Sequence, residues 1–384
     1  MRRLRVVFPL LLLAWAAESC LTPAKGNLPS SSSLTLLPAA EGSPFAHVTQ
    51  RRGFQFPQDH GPHPDYQSEW WYYTGNLQTA QGQSLGYQLT FFRRGLAPGP
   101  AAGPADFSTD EIYFAHLAVT DPPDREHVFF ERFSRGSAGL SGASGSPYRV
   151  WLEAWSAAGM DPAGNQVRLQ ARQGPWAIDL QLLATRPVVE QGDHGLSQKG
   201  ESSGNASYYL SFTRMLTQGT LLLNGHKVSV SGQSWFDHEW GTNALETDEI
   251  GWDWFGLQLS DGRDLMLYQI RRADGSISPY SSGTLVASDG SSRPLSAGEV
   301  MLQVLDQWRS PESGATYPSG WRLRIPSEGI DLQVEPRLAD QEMRLNFVYW
   351  EGAVAVSGES AGAPVEGSGY VELTGYKQSM QGVF

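Results

Sequence analysis

The chain has 384 residues, with 28 Lys and Arg against 40 Asp and Glu, a formal net charge of −12. An acidic surface repels polyanions, which argues against nucleic acid as a partner. Apolar residues at 40% and charged ones at 18% fit a folded globular chain and not a disordered one, and a single cysteine excludes both an intrachain disulfide framework and a cysteine-based zinc cluster.

Residues 1–20 read as an address. Arg2, Arg3 and Arg5 precede the apolar run Val6–Ala17, far shorter than the roughly 20 residues of a membrane-crossing helix. Small residues then lead to Cys20, as in a secretory signal. A lone cysteine at the cleavage point resembles a bacterial lipobox, with Cys20 lipidated as the first mature residue, although Ala17 stands where such motifs carry Leu. The alternative is free secretion after cleavage near Ala17 or Ser19. Residues 21–45, rich in Ser, Pro and Gly, read as a flexible tether. No later segment is apolar enough to span a bilayer, so the expectation is an exported protein held to the bacterial envelope by its N-terminal lipid.

Beyond the tether, alternating runs dominate and helical stripes are scarce. Tyr208–Leu216 and Thr220–Leu223 read as strands, and Asn224-Gly225 then turns the chain into His226–Ser231, a strong hairpin signal. Similar turns stand at Ser260-Asp261-Gly262, Ala273-Asp274-Gly275 and Ser288-Asp289-Gly290. Ala297–Trp308 is the best helical candidate, but Val300, Leu302 and Val304 alternate, so strand is expected there too. The pattern predicts antiparallel sandwiches or barrels. There is also an echo. Trp70–Tyr73, a turn at Gly82, Tyr87-Gln88-Leu89 and Arg93-Arg94 reappear some 180 residues later as Trp252–Phe255, a turn at Gly262, Tyr268-Gln269-Ile270 and Arg271-Arg272. It predicts two related β units in tandem.

Six of the 13 tryptophans fall in three short segments: Trp70-Trp71, Trp235 with Trp240, and Trp252 with Trp254. They fill a core or line an aromatic cavity, and the sequence leaves both open. In an extended Gly232–Gly241, Phe236, His238 and Trp240 share one face while Trp235, Asp237 and Glu239 share the other. A partner for His238 therefore comes from another strand. Asp253 aligns with Phe255, Leu257 and Leu259, and Glu69 with Trp71, Tyr73 and Leu77. An acid on an apolar stripe needs a partner or a proton, so these are either structural pairs with backbone or arginine, or general acids with raised pKa. Metal and nucleophile motifs are weak. His238-Glu239 lacks a second His, because Thr242 stands there, and His60, His63 and Asp65 could ligate a metal but lie in a Pro/Gly loop, where such residues are usually solvated. No Gly-x-Ser-x-Gly elbow or phosphate-cradling loop is present.

These segments resemble the carotenoid 1,2-hydratase and AttH family of lipocalin-like proteins. The carriers are His63-Pro64, Ser68–Leu77, Trp235–Gly241, Trp252–Phe255, Tyr317-Pro318 with Trp321, and Gly369–Tyr376. The resemblance implies an all-β chain of two tandem lipocalin-like antiparallel β-barrels packed together, at 46–241 and 242–384. Hydratases of the family add water across a terminal isoprenoid double bond without an organic cofactor, and an Asp-His-x-Trp segment and a Tyr-x-Asp pair are associated with that reaction. Here these correspond to Asp237, His238, Trp240 and Tyr268, with Ile270 in place of the second acid and Asp253 or Asp264 as candidate substitutes. Other members have no established reaction, and some are encoded beside ABC-transporter components. Because Ile270 carries no proton to give, the reading taken first is a binder of an apolar or amphipathic, lipid-like ligand. Trp70, Trp71, Tyr73, Trp252 and Trp254 would wall it, alone or with a transporter, with no cofactor or metal. The alternative is a cofactor-independent hydro-lyase working by acid catalysis on an isoprenoid double bond. A third reading takes the exposed aromatics as sugar-stacking surfaces.

Overall fold

The predicted alternation becomes 25 strands in the computed structural model, which describes residues 44–99, 110–242 and 245–383. The leader, Cys20 and most of the tether lie outside these residues. Among the described residues no helix is long and apolar enough to cross a membrane.

The first sheet contains β1 (Ser68–Thr79), β2 (Ser84–Gly95), β3 (Glu111–Asp121), β4 (Glu126–Arg135), β5 (Ser141–Gly145), β6 (Tyr148–Leu152) and β7 (Trp155–Gly159). It continues with β8 (Gln166–Gln173), β9 (Trp176–Ala184), β10 (Val189–Glu190), β11 (Leu196–Gln198), β12 (Ala206–Leu223) and β13 (His226–Gly241). Its order, β4-β3-β2-β1-β13-β12-β9-β8-β7-β6-β5, wraps into a nearly closed barrel, with β10 and β11 added on β12. The second sheet takes β14 (Glu249–Leu259), β15 (Asp264–Arg272), β16 (Ser282–Val286), β17 (Ser292–Ser296) and β18 (Met301–Val304). After a separate hairpin of β19 (Gln307–Arg309) and β20 (Thr316–Pro318) come β21 (Trp321–Ile325), β22 (Ile330–Pro336), β23 (Glu342–Arg344), β24 (Val348–Ser360) and β25 (Ala363–Leu373). This sheet runs β17-β16-β15-β14-β25-β24-β22-β21-β18, with β23 on β24. The fold is all-β, two lipocalin-like barrels packed together.

The local signals account for these elements. Asn224 and Gly225 turn between β12 and β13 at φ 46° and 87°, left-handed values that Asn and Gly tolerate best. Each barrel opens on one hairpin of the echo, β1–β2 and β14–β15. Ala297–Glu299 is a 3-10 turn capped by Ser296 and Glu299, and the rest of Ala297–Trp308 is mostly strand.

Both interiors are filled by their own side chains. Trp71, Tyr73, Phe91 and Trp155 pack the first, and Phe255, Tyr317, Trp321 and Trp350 the second, all fully buried. Trp321→Ala is expected to lower stability by about 3–5 kcal/mol, read from denaturant midpoints, because the surrounding wall collapses only in part.

The barrels meet through the outer faces of β1, β12 and β13 against β14, β24 and β25. Tyr72 Oη donates to Glu351 Oε1 (2.7 Å), Asn76 Nδ2 to the Gly369 carbonyl (2.9 Å), and Gln258 Nε2 to the Thr213 carbonyl (2.7 Å). Strands of this junction are buried on both faces, one by the home barrel and one by its neighbour.

Candidate functional site

The period-2 geometry sorts each aromatic segment into two destinations. On β1, Trp71 and Tyr73 enter the first core while Trp70 and Tyr72 face the second barrel. On β13, Phe236 and His238 point inward, whereas Trp235, Asp237 and Glu239 point to the junction. On β14, Asp253 and Phe255 go in while Trp252 and Trp254 go out. The expected core and the expected cavity are therefore both present, and the cavity lies between the barrels, not inside one of them.

This cavity has a volume of about 140 Å³. Trp70, Tyr72, Trp252, Trp254, Tyr268 and Tyr349 form its aromatic wall, with Phe92, Ile270 and Phe347 among the other apolar groups. Four acids, Asp237, Glu239, Glu249 and Glu372, and one base, Lys199, interrupt it.

Asp237 is held by three donors: Tyr209 Oη to Oδ2 (2.6 Å), and Ser211 Oγ (2.5 Å) and Trp235 Nε1 (2.7 Å) to Oδ1. Tyr209 Oη in turn accepts from Trp254 Nε1 at 2.9 Å. Burial pushes the Asp237 carboxyl up to about 7 against those hydrogen bonds, and the charge of Glu239 adds to the rise. Glu372 also sits at about 7, raised by burial and by the charges of Asp237 and Glu239, while Trp252 Nε1 donates to its Oε1 at 2.5 Å. Glu351 lies opposite Glu372 across β24 and β25, and burial first and then Glu372 raise its pKa well above the usual carboxylate range. Glu239 accepts from Ser207 Oγ (2.5 Å) and pairs with Lys199 Nζ (3.1 Å), whose ammonium rests 4.0 Å from the Tyr268 ring centroid.

Of the residues singled out from sequence, Asp237, Tyr268, Trp70, Trp252 and Trp254 line the cavity together. Trp71, Tyr73, His238, Trp240 and Asp253 do not. Trp71 and Tyr73 are core. Asp253 is paired inside the second barrel with Arg271 Nε (2.9 Å) and Tyr376 Oη (3.0 Å). Asp264, the other candidate acid, is claimed by Arg186 and Arg214. Cys20 lies outside the described residues.

His238 and Trp240 belong to a second cluster behind the cavity wall. His238 stacks on Trp71 with centroids 4.9 Å apart, and His63 stacks on Trp240 at 3.7 Å. Glu69 Oε1 lies 2.8 Å from His63 Nδ1 and 2.9 Å from His238 Nε2, and its Oε2 accepts from Arg93 Nε at 2.9 Å. Burial opposes charge on His63, but Glu69 and Asp59 outweigh it and raise its pKa; burial lowers that of His238. The loop expectation needs correcting here. His60 is buried, with burial holding its pKa down at about 3, and the His63 side chain is 10% exposed, so only Asp65 is a solvated residue. Among the described residues, His63, Glu69 and His238 are the group of His, Cys, Asp or Glu whose donor atoms converge, all within 4.8 Å of one another.

The model of the AttH-like family matches residues 47–376. The chain belongs to the AttH-like family. A crystal structure assigned as an AttH of Nitrosomonas europaea superposes on this AttH-like chain with a TM-score of 0.77 at 31% identity, covering 86% of this chain and all of that one. The kievitone hydratase of Nectria haematococca has the same fold, with a TM-score of 0.65 at 17% identity over 87% of this chain and 98% of its own. In sequence, the dehydratase asqC of Emericella nidulans is 23% identical over 221 residues and the kievitone hydratase of Fusarium solani subsp. phaseoli 25% over 217. Each match takes in 54% of this chain and 60% of the relative's length, so the chain spans about 60% of the curated relatives it matches.

Four polar groups that line the cavity of this AttH-like chain went unread in the sequence, Tyr209, Lys199, Glu249 and Glu372, as did Glu351 beside Glu372. Glu372 had a usable signal. It alternates with the core residues Val371 and Leu373, so it had to stand on the outer face of β25. There it forms a row with Trp254 and Tyr268 across three strands. Lys199 follows the three-residue strand β11, too short for any periodicity.

Proposed function

We propose that this chain is a cofactor-independent hydro-lyase that adds water to, or removes it from, a trisubstituted double bond at the end of an isoprenoid-like substrate. The observation that carries this is the pairing of two carboxyls titrating near 7, Asp237 and Glu372, within one aromatic cavity. The hydratase and dehydratase among the relatives support catalysis over the carrier reading, which takes second place.

The two acids divide the work. Asp237 has both oxygens occupied by donors, which favours the carboxylate. Glu372 accepts from Trp252 Nε1 on Oε1 and shares a further hydrogen bond with Glu351, and its place in the cavity lining lets it present a proton there. Because each charge raises the other's cost, one proton between them is the favoured neutral-pH state. Glu372 gives its proton to the alkene carbon, and the tertiary cation that forms faces the rings of Trp254, Tyr268 and Trp70. Water adds to the cation and passes a proton to Asp237; exchange with solvent returns the pair to its starting state. Glu372 thus replaces the acid missing at Ile270. A dry cavity of about 150 Å³ takes up benzene, so about 140 Å³ suits one five-carbon isoprenyl end.

Incubation of the full chain with acyclic isoprenoids in H₂¹⁸O should give tertiary alcohols carrying ¹⁸O, detected by mass spectrometry. Unlabelled or unreacted alkenes throughout such a series would end this reading. The rate should peak near pH 7 and fall about tenfold per pH unit on either side, as Glu372 loses or Asp237 gains its proton. Export on the signal of residues 1–20, with Cys20 lipidated, is proposed alongside it; replacing Cys20 by Ser should shift the protein from the membrane to the soluble envelope fraction.

A further inference from the structure

In the cluster behind the cavity wall, the hydrogen-bond partners of His238 do not match the proton supply of a neutral ring. His238 Nδ1 lies 3.1 Å from the Asp59 backbone carbonyl, an acceptor only. That nitrogen therefore carries the ring proton, and Nε2 turns its lone pair toward Glu69 Oε1, a second acceptor, at 2.9 Å. His63 also faces acceptors on both sides, Nε2 toward Asp59 Oδ1 at 3.0 Å and Nδ1 toward the same Glu69 Oε1 at 2.8 Å, and a metal ion would take the place of the proton on Nδ1. Glu69 is fixed from behind as well, its Oε2 accepting from Arg93 Nε and from the His63 backbone N–H, both at 2.9 Å.

Two imidazole nitrogens and a carboxylate oxygen thus converge, all within 4.8 Å of one another. Each is oriented by an outer hydrogen bond, His238 donating to a carbonyl, His63 to a carboxylate, and Glu69 accepting from a guanidinium. Metal-binding histidines are normally oriented in this way, with the second ring N–H on a carbonyl or carboxylate. The donors also span three separate pieces of chain: β1, β13 and the segment that crosses the barrel end before β1.

We propose that His63, Glu69 and His238 form a binding site for a divalent transition metal of the zinc class, which pins the segment before β1 to the end of the first barrel. Two imidazoles with one carboxylate are a donor set that suits zinc, and also iron and copper. The site is separate from the cavity and holds whether or not the proposed reaction does.

The test strips the full chain with a chelator, adds zinc chloride, removes the excess by gel filtration and counts metal per chain. One zinc should be retained and should raise the melting temperature, and cobalt in its place should give a ligand-field spectrum of low coordination number. His63→Gln and His238→Gln should each abolish retention, whereas Asp65→Asn, an exposed neighbour, should keep it. His63→Gln keeps the readout available if the His238 variant fails to fold. Wild-type protein that retains no zinc, with nitrogen NMR placing protons on all four ring nitrogens of His63 and His238, would overturn the proposal. Retention that survives both variants would overturn it equally.

Discussion

Glu372→Gln is expected to lower the rate of water addition by about 10²- to 10⁴-fold, the usual contribution of a positioned general acid, while leaving the barrels folded. The amide keeps an oxygen for Trp252 Nε1 but has no proton acidic enough to give to carbon. Stability should move the other way. The folded pKa of Glu372, about 7, exceeds its ordinary 4.5 because of burial. Below the ordinary value both states are protonated and nothing is lost. As pH rises toward 7 the unfolded chain releases its proton and the folded one resists, so the folded state is penalised, and above 7 the penalty is constant. Gln never ionises, so the variant should be more stable than the parent by a few kcal/mol at pH 8 and indistinguishable near pH 4. Denaturant curves at the two pH values check this. Asp237→Asn should match it in rate loss, since its amide oxygen still accepts from Ser211 and Trp235 while the basic carboxylate is gone. Activity falling while stability rises is what a site that stores unfavourable burial requires.

The sequence made the alternation of β13 legible, and with it the split of Asp237 from His238. The hairpins at Asn224-Gly225 and Gly262 and the tandem echo were legible for the same reason, because turn chemistry and period 2 are local. What could not be read was which face of each strand met a core and which met a cavity. At Trp70-Trp71 and at Trp252–Phe255 both faces are apolar, since both are covered, one by the home barrel and one by the neighbour. Pattern alone cannot tell two covered faces apart. Asp253 and Glu69 looked like candidate acids because they interrupt apolar stripes. Each instead faces an arginine of the adjoining strand, Arg271 and Arg93, at the matching end of its hairpin. The loss of an acid at Ile270 weighed toward a carrier, and Glu372, the proposed substitute, was invisible because β25 reaches β14 only in the folded chain. His63 was legible as a possible ligand but its partners were not, for a similar reason: Glu69 and His238 sit on two strands that must first pair.

Asp264→Ala should be among the most destabilising substitutions on the surface where the barrels meet, at about 3–5 kcal/mol. Its carboxylate is fully buried at the start of β15. It accepts from Arg214 of β12 through Nε (3.0 Å) and Nη2 (2.5 Å), from Thr213 Oγ1 (2.9 Å), and from Arg186 Nη1 (2.7 Å). All four donors belong to the first barrel's chain, so one carboxylate of the second barrel neutralises two of its cations. Burial raises the Asp264 pKa and the arginines pull it back down, so removing the acid strands two partly buried guanidinium groups with no counter-charge. Arg214 Nη2 also reaches the Leu259 carbonyl at 3.0 Å and, through that arginine, the clamp fixes the end of β14 whose other end carries Trp252 and Trp254. The cavity exists only where the two outer faces are held apart at a set distance. Loosening the clamp should therefore weaken substrate binding, raising KM, before it changes chemistry, whereas Glu372→Gln should lower kcat with KM little altered. Urea midpoints and steady-state kinetics on the two variants separate these roles, and an Asp264→Ala protein as stable as the parent would mean that the junction is held by its apolar contacts alone.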